Sequence, residues 1–86
     1  MKYLYISFKS RNNLMAFTKI LKSRGIIVSI VNTPHSISSS CSLSIKTDFR
    51  QYNTILNLLK LTRLDGFLGL YVIEKIGIRE QTQRLY

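Results

Sequence analysis

Tyr3-Leu4-Tyr5-Ile6-Ser7-Phe8 sets the period from which the rest of the fold is read. Leu4, Ile6 and Phe8 fall on one side of an extended chain, and Tyr3, Tyr5 and Ser7 on the other. That period of two belongs to a strand with one buried face. The pattern then lengthens. Ser10, Asn12 and Asn13 offer helix-capping side chains. Leu14, Phe17 and Leu21 share one face beyond them, with Ile20 beside it and Lys19 and Lys22 turned away. Gly25 stands where a helix C-terminal glycine belongs. A strand leading into a helix over about residues 12–24 is predicted.

Residues 26–31 are β-branched almost throughout and predict a central strand. Pro34 ends it, because proline donates no ladder hydrogen bond and disfavours helix before it. Alternation resumes over 42–47, with Leu43 and Ile45 inward and Ser42, Ser44 and Lys46 outward. Asp48-Phe49-Arg50-Gln51 fits a capping box, with Asp48 as cap and Gln51 reaching back. The helix after it puts Tyr52, Ile55, Leu56 and Leu59 on one face and runs to about residue 63. Leu58 and Leu61 fall off that face and are expected as exposed anchors for a partner. Asp65-Gly66 reads as a turn, and 67–74 as a last strand. The order is βαββαβ, which predicts an α+β, ferredoxin-like domain over residues 1–74. Its four antiparallel strands would carry two helices on one face and leave the other open. For the polar tail, residues 75–86, a short helix and a loose chain remain open.

A chain of 86 residues holds one core. At this length roughly 60–65% of the unfolded surface is buried, so the core is small. One cysteine excludes an internal disulfide and a multi-cysteine metal site, and a free thiol suits a reducing cytoplasm. Met1 to Arg11 holds no apolar stretch long enough for a signal peptide, and no apolar run approaches a membrane span. A soluble cytoplasmic protein with no membrane partner is expected. Thirteen Lys and Arg against four acids give a net charge of +9. The basic residues are spread along the chain, so a solvated basic surface and a binding face for RNA or another acidic partner both remain open.

The single cysteine sits in Pro34-His35-Ser36-Ile37-Ser38-Ser39-Ser40-Cys41-Ser42. A structural cysteine normally has apolar neighbours. Here serines and a histidine surround the thiol, and loops on a rigid scaffold often carry chemistry. Backbone N–H groups, the cationic surroundings and His35, if it folds back, would lower the thiol pKa. The serine hydroxyls would donate to a thiolate or to the outer sulfur of a persulfide. The bland alternative is a small hydrophobe tucked beneath the loop. One Cys and one His make a poor metal site, and no metal or cofactor is expected.

The run resembles the selenium/sulfur (Se/S) carrier protein-like family. In that family a proline-containing strand end leads into Ser-Ser-Ser-Cys-Gly and a short apolar strand. This chain supplies Pro34, Ile37, Ser38-Ser39-Ser40-Cys41, then Leu43 and Ile45. It departs at Ser42, where glycine is usual, and at His35, where a basic residue is expected. The resemblance implies that Cys41 carries a sulfur or selenium atom and relays it from a donor enzyme to an acceptor enzyme. Pro34, Ser38, Ser39, Ser40 and Ser42 would form the binding loop and His35 would be an activator. The role is that of a carrier more than of an enzyme with its own turnover.

Two other classes use the open sheet face instead. Tyr3, Tyr5, Phe67, Tyr71 and Ile73 are expected there, where aromatic rings can stack RNA bases. The strand entered at Ser42 shows Ser44 and Lys46 where an RNA-recognition motif would present aromatics, so RNA binding would be weak. The same residues lack a covering layer, which makes a homodimer with a regulatory or interaction role the other expectation.

Overall fold

The computed structural model describes residues 1–37, 43–62 and 66–86. In chain order the elements are β1 (Lys2–Phe8), α1 (Arg11–Ser23), β2 (Ser29–Asn32) and β3 (Leu43–Asp48). A 3₁₀ turn (Phe49–Gln51), α2 (Tyr52–Leu61), β4 (Phe67–Ile76) and β5 (Arg79–Arg84) follow. The strands form one five-stranded sheet in the order β2-β3-β1-β4-β5. All four neighbouring pairs are antiparallel. The fold is α+β, with five strands where the sequence predicted four.

The alternation of β1 is obeyed. Leu4, Ile6 and Phe8 are buried, and register sets Ile6 beside Ile45 of β3 and Leu70 of β4. Leu14, Phe17 and Leu21 of α1 and Ile55, Leu58 and Leu59 of α2 join them in a single core cluster. The Phe8 and Phe17 rings meet at 5.8 Å between centroids.

Helix α1 begins on Ser10, whose Oγ accepts from the Asn13 N–H. It ends in a Schellman motif. Gly25, at φ +76, donates to the Lys22 carbonyl and Ile26 donates to that of Leu21. Ile26 is thereby drawn into the core as the hydrophobic partner of the cap. This corrects the predicted second strand, which begins three residues later at Ser29 and lies at the sheet edge instead of its centre.

The capping box is also corrected. Asp48 caps the 3₁₀ turn, accepting from the Arg50 N–H at 2.8 Å. The Arg50 guanidinium donates to the second carboxylate oxygen at 3.1 Å. Gln51 makes no side-chain cap bond to α2. Leu58, expected as an exposed anchor, is 7% exposed. It completes the i, i+3, i+4 face with Ile55 and Leu59, so the core-facing stripe is centred there. Leu61 stays outside at 81% exposure.

The C-terminal residues settle the open question about the tail. Gly77, at φ +61, and Ile78 form the two-residue turn between the paired Ile76 and Arg79. Glycine at the first turn position is what such a hairpin requires. β5 is polar throughout because it forms the sheet edge. Beyond it the Leu85 N–H donates to Leu70 at 2.7 Å, and the Leu85 side chain packs against the core.

Two outcomes test this packing. Leu58→Ala should cost about 2–5 kcal/mol in urea denaturation, and Leu61→Ala should stay within about 0.5 kcal/mol. The hydrogen bond from the Arg50 backbone, then that from its side chain, holds the Asp48 carboxyl below its ordinary 3.8. A depressed carboxylate contributes stability above its unfolded-state value and loses it as pH falls through the folded-state value. Stability should therefore decline as pH drops below about 4, with a shallower slope for Asp48→Asn. Denaturation midpoints compared across that range check it.

Candidate functional site

The second sheet face is built from the alternate residues of the same strands. Ser7 of β1 lies between Ser44 of β3 and Gly69 of β4. Tyr5 lies between Lys46 and Tyr71, and Tyr3 between Asp48 and Ile73. Arg84 and Thr82 of β5 continue the rows beyond Tyr71 and Ile73.

This face is not bare. Ser44 is fully buried, Ser7 is 1% exposed and Ile73 4%. The chain leaving β2 turns over it and is held at two points. The hydroxyls of Thr33 and Ser44 share a hydrogen bond of 2.7 Å in a buried setting. Farther on, the Thr82 hydroxyl donates to Ser36 Oγ at 2.9 Å. Ser44 belongs to β3 and Thr82 to β5, so the stretch from Thr33 to Ser36 bridges β1 and β4, the strands between them. The Ile37 N–H donates to the Pro34 carbonyl at 3.0 Å, closing a turn within this strap.

The uncovered face expected from the sequence is therefore corrected at Ile73, which is buried. Phe67 is corrected too. A register shift between Ser7 and Phe8 brings Phe67 beside Phe8, with ring centroids 5.8 Å apart, and it packs against the core. A bulge of this kind exchanges the faces of the residues beyond it. Tyr3, Tyr5 and Tyr71 do lie on the second face, half-buried. Cations already sit on their rings. Lys46 Nζ is 4.3 Å from the Tyr3 centroid and 6.0 Å from that of Tyr5. The Arg84 guanidinium carbon is 5.9 Å from the Tyr71 centroid. Such contacts are favourable where partly desolvated, and a stacking base would have to displace them.

Of the predicted site residues, Pro34 is half-buried in the strap and His35 is exposed. Ser38, Ser39, Ser40, Cys41 and Ser42 lie outside the described residues. The residues that hold the strap, Thr33, Ser36, Ser44 and Thr82, were not singled out by sequence. Only the outward position of Ser44 in its strand hinted at a role. Among the described residues, no group of three or more His, Cys, Asp or Glu side chains is placed to hold a metal ion. Among the same residues, no helix is long and apolar enough to cross a membrane. A groove of about 500 Å³ beside β5 is lined by Lys2, Phe49, Glu74, Thr82 and Leu85 among others, with no cysteine or histidine among its described lining residues.

Comparison with known proteins gives the class. Residues 3–66 match the family described as "Putative Se/S carrier protein-like". The chain belongs to that family. The match runs from β1 through the strap and α2 to the turn before β4. No curated protein matches the chain.

The strap's first anchor carries a prediction. Thr33→Val keeps the shape and removes the hydroxyl that meets Ser44. The cost should be roughly 1–3 kcal/mol, since a buried polar group loses its partner. Limited proteolysis near His35 should accelerate beyond what the change in global stability explains.

Proposed function

We propose that this chain carries a sulfur or selenium atom on Cys41, as a persulfide- or perselenide-type adduct, between a donor enzyme and an acceptor enzyme. The observation that carries the reading is membership of the Se/S carrier protein-like family over a stretch that includes Cys41. The architecture supports it. Cys41 belongs to the β2–β3 connection, whose first part is pinned across a rigid sheet at Ser44 and Thr82.

The chemistry is an exchange without net oxidation. The Cys41 thiolate attacks the outer sulfur of a donor persulfide. A new S–S bond forms as the donor's own S–S bond breaks, and the donor leaves as a thiolate. An acceptor thiolate then takes the outer sulfur and returns Cys41 to the thiolate. Rates depend on thiolate fraction, nucleophilicity and access. Such a thiol is maintained in a reducing compartment, which is the ground for a cytoplasmic location.

In the same reading β2-β3-β1-β4 is a ferredoxin-like core and β5 an addition at its edge. The strand order supports this, since β3 separates β1 from β2 and β1 separates β3 from β4. An RNA-binding module has less to support it, because Lys46 and Arg84 occupy the tyrosine rings it would use. A dimer through this face loses the argument from Ile73, which the chain buries itself.

Folded protein should react with a mild alkylating agent at Cys41 faster than a model thiol does at neutral pH. Incubation with a cysteine desulfurase and cysteine should add one reducible sulfur atom, seen by intact mass. A Cys41 that resists alkylation until denaturation contradicts the carrier reading. His35→Ala with an unchanged rate would remove His35 from activation.

A further inference from the structure

The sheet ends in β2 on one side and in β5 on the other. β2 has four residues, whereas β5 has six, and five of the six are exposed. An unpaired edge is a template for another strand, and short length, proline or a bulge normally blunts it. β5 has no proline, and its pairing with β4 is regular from end to end. Charged side chains remain as a guard, so their order along the strand decides what the edge accepts.

Hydrogen bonds at either end fix which backbone groups face outward. The Leu85 N–H donates to the Leu70 carbonyl at 2.7 Å, so Leu85 faces β4. The Lys75 N–H donates to Met1 at 2.9 Å, on the β1 side, and so turns away from its β5 neighbour Glu80. Bonded and unbonded pairs alternate along an antiparallel ladder. Arg79, Gln81 and Gln83 therefore bond to β4, while the N–H and C=O groups of Glu80, Thr82 and Arg84 point out of the sheet. Among the described residues, no backbone group from elsewhere in the chain meets them.

The outward residues are their own complement. Two antiparallel β5 strands with Thr82 opposite its copy set Glu80 opposite Arg84 twice, with Gln81 opposite Gln83 between them. Opposite charges across such a pair attract and like charges repel. Neither group has a strong competing partner. Arg84 donates to the Tyr86 and Leu68 carbonyls, which fix the guanidinium without neutralising it, and Glu80 meets Lys75 only at 4.0 Å. Past the strand ends the same register carries Ile78, fully exposed in the single chain, toward the partner's Tyr86. Sliding the strands by two residues sets Thr82 opposite a charge, and sliding by four sets Glu80 or Arg84 opposite itself.

We propose that β5 pairs with β5 of a second copy of this chain, about a two-fold axis at Thr82, to make one continuous antiparallel sheet. The surface is separate from the tyrosine face, and the inference does not depend on the carrier reading. A two-fold axis perpendicular to the sheet keeps both helix layers on one side and both straps on the other. The paired edge is only about 20 Å long, so the dimer is weak and forms as concentration rises. The net charge of +9 on each copy opposes it, and physiological salt screens that repulsion. Thr82 and its copy form a hydrogen-bonded pair, whose Cβ atoms stand wider apart than a disulfide spans. The test therefore uses charge.

Sedimentation velocity from low-micromolar to millimolar concentration compares wild type, Glu80→Arg, Arg84→Glu, an equimolar mixture of those two variants, and Glu80→Pro. Wild type should pass from monomer to dimer. Glu80→Arg and Arg84→Glu each set like charges opposite at both ends, and should weaken the dimer roughly tenfold. In the mixture every such pair is again opposite in sign, so a dimer should return. Glu80→Pro removes an outward N–H that the β4 ladder does not use. It should keep the wild-type circular dichroism and stay monomeric. A wild type that is monomeric at every concentration overturns the proposal. So does a dimer that Glu80→Pro leaves intact, or one that the charge variants weaken and mixing does not restore. Should Arg84→Glu fail to fold, wild type and Glu80→Pro decide the matter.

Discussion

The hydrogen bond between the Thr33 and Ser44 hydroxyls decides what the second sheet face becomes. At 2.7 Å and in a buried setting, it turns the chain leaving β2 back across the sheet. Uncovered, the face beneath would be a layer of tyrosine, serine and isoleucine open to water. Beneath the strap, Ser7, Ser44 and Ile73 are interior residues on the face opposite the helix-covered core. The Thr82–Ser36 bond at the far edge completes the strap. That contact exists only because the last strand extends the sheet beyond β4.

The two faces are stabilised by different physics. On the helix side, aliphatic and aromatic side chains from the strands and both helices meet in one cluster, where removal of apolar surface from water supplies most of the stability. On the strap side the contacts are hydroxyl pairs and cations over tyrosine rings, which are directional and individually modest. A small core that places its apolar residues on one face leaves the other largely polar. Charge follows the same division. Of the four acids, Asp48 and Glu80 pair with Arg50 and Lys75 at the surface.

Much of this was legible from local pattern, and the exceptions have physical causes. β1 and α1 follow from period and capping alone, because their signals lie within a few residues. Ile26 has the side chain of a strand residue, but the Gly25 cap claims it for the helix terminus. β5 has no apolar period, since an edge strand with exposed side chains needs none; only Gly77 before Ile78 marked the hairpin. Phe67 changed faces through a bulge that alternation does not register. The strap was beyond any local reading, because Ser36 and Thr82 are 46 residues apart. At the candidate site, the serine-rich run identified the thiol as unusual, whereas Ser7 read simply as the polar half of a strand.

The position of the strap against the sheet is tested most directly by a cross-link. In a Cys41→Ser background, Ser36→Cys and Thr82→Cys replace two oxygens that are 2.9 Å apart, close enough for a disulfide with little backbone movement. Mild oxidation should give a quantitative intramolecular disulfide in the folded protein, with a raised melting temperature and no loss of secondary structure. Two thiols that stay free under those conditions, or that join only between molecules, would show that the strap does not cross this face.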